Sequence, residues 1–109
     1  MQVVQAFRAF GRVQGVGFRW FVRERARVAG LTGWVRNEAD GSVALIAAGT
    51  PAQLRQLEHA IREGPPGAHV QRLEVRTIAP VEDTAASGEP DAAHALSSPF
   101  QVVRYRDAP

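Results

Sequence analysis

The stretch GWVRNEADGSVALIAA, residues 33–48, decides the fold. Gly33–Glu38 and Ser42–Ala48 are two apolar, β-rich runs, and the Asp40-Gly41 pair between them is a strong hairpin signal. The stretch therefore reads as two adjacent antiparallel strands. Before it, VVQAFRAF (residues 3–10) is rich in β-branched and aromatic residues and predicts a first strand. Phe18, Phe21, Val22, Ala26 and Ala29 then recur at helical spacing. Arg23, Glu24, Arg25 and Arg27 mostly take the other side, and Gly30 closes the helix.

After the hairpin, Thr50-Pro51-Ala52-Gln53 has the form of a capping box, with Thr50 as N-cap, proline at the first helical position and Gln53 three residues on. Leu54, Leu57 and Ile61 form the apolar stripe, and Gly64-Pro65-Pro66 stops the helix. Val70–Ile78 predicts a further strand with imperfect alternation, and Phe100–Tyr105 a short last one. Residues 80–99, rich in Ala, Ser, Pro and acidic residues without periodicity, read as a loop or mobile segment.

The order β-α-β-β-α-β plus a terminal strand predicts an α+β, ferredoxin-like two-layer sandwich, an antiparallel sheet with two helices on one face. One domain over residues 1–109 suits a chain of this length. A right-handed β-α-β crossover makes the first two strands parallel, flanking the third, so their C-terminal ends emerge together. The loop after the first strand and Asn37, near the end of the second, are thereby brought to one end of the sheet.

A hydrophobic fraction of 45% and a charged fraction of 22% are those of an ordinary globular protein and argue against a disordered or fibrous one. Without cysteine, disulfides and thiolate chemistry are excluded. All thirteen basic residues are arginine and the net charge is only +2, which gives no case for a nucleic-acid partner. No apolar run approaches the roughly 20 residues that span a bilayer, and MQVVQAFRAFG lacks the features of a secretory signal. The expectation is a cytoplasmic protein, monomeric, with no membrane partner. His59, His69 and His94 show no ligand spacing and read as surface residues, so no metal site is expected.

The chemistry concentrates in GRVQGVGFR, residues 11–19. Glycine admits positive φ and close approach of the backbone to a ligand. Successive N–H groups in such a turn, continued into a helix N-terminus, make an anion site. Arg19 lies in the first helical turn, where a cation is unfavourable by roughly 0.3–1 kcal/mol unless something negative offsets it. Its planar guanidinium suits two phosphate oxygens at once. The loop lacks the Gly-Lys-Ser/Thr ending of a Walker A motif, and no glycine completes GxGxxG after Gly15 and Gly17. By spacing alone the glycines also fit a plain strand-to-helix turn with Arg19 on the surface, and an asparagine before a hairpin is an ordinary turn former. Arg23 and Arg27 read as a solvated helix face, and Trp20 and Trp34 as core or rim packing.

Gly11-Arg12-Val13-Gln14-Gly15-Val16-Gly17-Phe18-Arg19, then Gly30-Leu31-Thr32-Gly33-Trp34-Val35-Arg36-Asn37, then Asp40-Gly41, closely resembles acylphosphatase in order and spacing. The resemblance covers nearly the whole chain and is weakest over 80–99. It implies hydrolysis of acyl phosphates, RCO-OPO₃, to a carboxylate and inorganic phosphate, with no cofactor and no metal. It further implies that Arg19 and the backbone amides of Val13, Gln14, Gly15, Val16, Gly17 and Phe18 bind phosphate, and that Asn37 orients the attacking water. Inorganic phosphate is then both product and competitive ligand. In the family's mechanism the substrate phosphate takes a proton from that water, so no general base is needed.

The alternative is a non-catalytic phosphate- or RNA-binding module on the same fold. RNA-binding sheets carry RNP-like aromatic motifs, and none is present. A relative of the acylphosphatase-like domain in larger carbamoyl-transfer maturation proteins is disfavoured by the absence of zinc-finger cysteines.

Overall fold

The computed structural model describes residues 2–80 and 100–103. The strands are β1 (Val3–Arg12), β2 (Thr32–Asn37), β3 (Val43–Gly49), β4 (His69–Pro80) and β5 (Gln101–Val102), and the helices are α1 (Phe18–Ala29) and α2 (Pro51–Glu63). They follow the expected order, and the sheet order is β4-β1-β3-β2-β5. β1 and β2 both pair antiparallel with β3, so they run parallel to each other and flank it. The two C-terminal strand ends therefore lie at the same end of the sheet.

The sheet is mixed rather than wholly antiparallel, because β5 pairs parallel with β2, Trp34 opposite Gln101 and Val35 opposite Val102. The chain leaves β4 at one edge and returns at the other, so this added strand runs with β2. Its described part is shorter than the expected run to Tyr105, and Arg104 and Tyr105 lie outside the described residues. So does 81–99, most of the expected loop; Pro80 ends β4.

The helices cover one face. Phe18, Val22 and Ala26 of α1 and Leu54, Leu57 and Ile61 of α2 pack on Phe7, Ala9, Val35, Leu45 and Ala47 of the sheet, with Phe100 buried among them. A smaller cluster on the opposite face joins Val4, Trp34, Ala44, Ile46 and Ala48, which follows from the two-residue period of the strands. Central β3 is accordingly buried at every position. The capping box of α2 forms as read: Gln53 N donates to Thr50 Oγ1 at 3.2 Å, and Thr50 N to Gln53 Oε1 at 2.8 Å.

β1 runs two residues beyond the expected Phe10, and β4 explains why its sequence alternates poorly. The β1–β4 register shifts between Val4 and Gln5 and between Phe10 and Gly11, and each shift places an extra β4 residue, Ile78 or Gln71, in the pairing. At the second shift Gly11, φ 126°, brings its backbone against β4 so closely that a Cβ would stand 2.1 Å from the His69 carbonyl oxygen. This glycine belongs to the sheet rather than to the loop chemistry. Gly11→Ala must push β4 away and is expected to cost more than about 2 kcal/mol, read as a lowered urea midpoint with the slope kept.

Candidate active site

The loop between β1 and α1 is anchored at both ends by buried side chains, Val13 and Phe18, while Val16 packs partly against the same core. The expected roles of these residues lie in their amides; their side chains anchor the loop. Between them Gly15 and Gly17 take φ of 76° and 75°. A Cβ at either would meet nothing within 4 Å, so it is the left-handed backbone and not crowding that asks for glycine.

Gly17 is also the N-cap of α1, and it offers no side-chain cap. No acidic residue stands in the first turn. The first helical bond runs from Phe21 N to Gly17 O at 3.0 Å, and the backbone N–H groups from Gly15 to Trp20 find no acceptor among the described residues. α2 has its capping box; α1 presents a row of open donors and the positive end of its dipole.

Arg19 is half-buried beside these donors and has no hydrogen bond or ion pair among the described residues. It lines a cleft of about 290 Å³ together with Val13, Gly15, Gly17, Phe18, Trp20, Arg23, Asn37 and Val102. The topology thus joins Arg19 and Asn37 in one cleft at the shared end of β1 and β2. Asn37 Oδ1 is buried and accepts no hydrogen bond among the described residues.

Gln14 and Val16, both expected in the site, do not line the cleft. Gln14 instead reaches across to the β2–β3 turn, where Nε2 donates to the carbonyls of Glu38 at 2.8 Å and Ser42 at 2.9 Å. It ties the loop to the residue that follows Asn37. The turn is further fixed by Glu38 N to Ser42 O at 2.9 Å, by Arg36 Nε to Glu38 Oε2 at 2.6 Å, and by Arg8 within 3.5 Å of Glu38. Asp40 Oδ1 accepts from Ser42 Oγ at 2.5 Å and Ser42 N at 2.9 Å. The Ser42 hydroxyl foremost and then the Ser42 amide hold the Asp40 carboxyl below its ordinary value of 3.8 against the opposing effect of burial, with a lesser contribution from the Arg8 charge.

Three residues of the cleft were not in the expected set. Trp20 is 61% exposed at its rim. Arg23 enters it one turn after Arg19, a spacing legible in the sequence but assigned there to a solvated face. Val102 comes from the far end of the chain and carried no local signal. Arg27 is exposed, as its reading as part of a solvated face expects, and its Nε donates to the Phe100 carbonyl at 2.9 Å. Trp34 is buried on the far side of the sheet under Arg36, 4.5 Å from its ring. His59 and His69 are exposed on separate elements, and His94 lies outside the described residues. Among the described residues no three His, Asp or Glu side chains gather as a metal cluster, and no helix is long and apolar enough to cross a membrane.

Two measurements check this construction. Gln14→Ala removes two hydrogen bonds from turn carbonyls that keep their backbone donors, Gly41 N to Glu38 O and Glu38 N to Ser42 O, and is expected to lower stability by about 1–2 kcal/mol in urea unfolding. An NMR titration of Asp40 should find its midpoint below 3.8. A folded pKa depressed in this way contributes stability above the unfolded value, which is lost as pH falls through the folded one; a midpoint at or above the ordinary value would remove the turn's carboxylate from the account.

Comparison with known proteins agrees with the geometry. A family model described as Acylphosphatase matches residues 5–87. An acylphosphatase of Mesorhizobium japonicum is 51% identical over 77 residues, covering 71% of this chain and 81% of its own. One from Salinibacter ruber is 56% identical over 68 residues, 62% of this chain and 72% of its own. The crystal structure of acylphosphatase from Bacillus subtilis superposes with a TM-score of 0.76 at 32% identity, covering 94% of this chain and 99% of that one. With a family model matched over most of its length and a full-length structural counterpart, the chain belongs to the acylphosphatase family.

Proposed function

We propose that the open donors of the α1 loop and Arg19 bind the phosphoryl group of an acyl phosphate, and that Asn37 orients the water that attacks it. The family makes the protein an enzyme, an acylphosphatase. The observation that carries the residue roles is the meeting, in one cleft, of unpaired N–H groups, an unpaired guanidinium and an unpaired amide oxygen. Two donor sets and one acceptor are what a phosphate and a water require.

In the reaction water oxygen bonds to phosphorus and the phosphorus–acyl oxygen bond breaks, releasing a carboxylate and inorganic phosphate. A loose phosphoryl-transfer transition state spreads negative charge over the equatorial oxygens, so donors fixed in advance stabilise it without rearrangement. Arg19 adds charge and a planar two-point grip. Asn37 Oδ1 accepts a hydrogen bond from the attacking water and holds its lone pair towards phosphorus, a positioning effect. The substrate phosphate takes the water's proton, and the departing carboxylate is too weakly basic to need an acid. The reading includes a cytoplasmic monomer that acts on a small-molecule acyl phosphate without metal or nucleic-acid partner; the low net charge supports the last point.

The test is turnover of benzoyl phosphate in the presence of EDTA. Arg19→Ala is expected to lower kcat/KM by about 10³-fold or more and to weaken competitive inhibition by inorganic phosphate. Asn37→Ala is expected to lower kcat by about 10²–10³-fold while inhibition by phosphate stays intact. Unchanged kcat in Asn37→Ala would refute the water-orienting role.

A further inference from the structure

With the phosphoryl group assigned to the loop amides and Arg19, and the water to Asn37, the cleft walls left for the acyl group are Trp20, Arg23 and Val102. Two are apolar and one is a cation. Arg23 follows Arg19 by one helical turn on the same face of α1, so it stands beside the site and not at its phosphate end. Its Nε is buried without a hydrogen bond. Glu24 approaches that nitrogen to 3.2 Å, but outside hydrogen-bonding geometry.

Other arginines of the described chain spend their donors or their planes on the fold. Arg27 Nε donates to Phe100 O, Arg36 pairs with Glu38, Arg62 with Glu58, and Arg25 lies over the Phe21 ring. Arg23 is therefore the cleft cation held only by its chain neighbour Glu24, an ion pair on a partly exposed side chain whose Nε still lacks a hydrogen bond, so its donors are open to a better-placed anion. A planar guanidinium meets a carboxylate with two parallel hydrogen bonds. No carboxylate of the described protein lines the cleft to take that place.

We propose that Arg23 determines acyl-group specificity by binding a second carboxylate on the acyl moiety, so that the preferred substrates are monophosphate anhydrides of dicarboxylic acids. Trp20 covers the carbon frame between the two charged ends. The bonds made and broken are those of the reaction above, and the product is the free dicarboxylate with inorganic phosphate. The proposal rests on the assignment of the phosphoryl group to the loop and Arg19.

The experiment compares benzoyl phosphate with 3-carboxybenzoyl and 4-carboxybenzoyl phosphate, rigid substrates whose second carboxylate cannot attack the anhydride. The wild-type chain is expected to prefer at least one carboxybenzoyl phosphate in kcat/KM, with the difference in KM. Arg23→Gln is expected to reduce that preference roughly tenfold to a hundredfold, the factor for losing a charge-assisted hydrogen-bonded pair, while inhibition by inorganic phosphate reports an intact loop. Arg23→Lys, which keeps the charge and loses the planar fork, should recover part of the preference. Equal losses on all three substrates, or no wild-type preference, would overturn the proposal. A wild-type chain that hydrolyses none of the three would instead remove the reading beneath it.

Discussion

A helix that begins on a glycine leaves its first N–H groups unsatisfied, and the site of this protein is organised around that deficit. The same chain holds its own control: α2 opens on Thr50 and closes a full capping box, whereas α1 opens on Gly17 with neither a side-chain cap nor an acidic residue in its first turn. Among the described residues the uncapped helix end, the Arg19 guanidinium and the Asn37 oxygen, none of them with a partner, are gathered in one place. The loop is held by the core, where Val13 and Phe18 pin its two ends while the glycines between them take left-handed backbone.

Holding Asn37 against that loop is a separate problem. β1 and β2 are not hydrogen-bonded to each other, since β3 lies between them. The tether is the Gln14 side chain, whose amide supplies two donors to the carbonyls of the β2–β3 turn. The turn is in turn stiffened by Asp40 and Ser42 and by the Arg8, Arg36 and Glu38 charges. The Gln14 side chain thereby sets the relation between the α1 loop and Asn37.

Much of the fold was legible because its signals are local. Thr50 to Gln53, the helical spacing of Leu54, Leu57 and Ile61, and the Asp40-Gly41 turn each encode their geometry within a few residues. The poor alternation of β4 was not interpretable in isolation, because the bulges at Gln71 and Ile78 exist only against β1. The parallel pairing of β5 depends on which edge of the sheet is vacant, information carried by no segment on its own.

For the site, the sequence by itself determined the candidates: Gly15, Gly17 and Arg19 through spacing and side-chain type that fit an anion site and a plain turn alike, and Asn37 through the resemblance to acylphosphatase. Only the tertiary structure decided what each one does with its freedom. It made Gly11 part of the sheet, gave the Gln14 side chain to the turn, sent Arg27 to the Phe100 carbonyl and left Arg23 in the cleft. The physical reason is that a donor's role is fixed by the acceptor it meets, and those acceptors lie on segments that only the folded sheet brings within hydrogen-bonding reach.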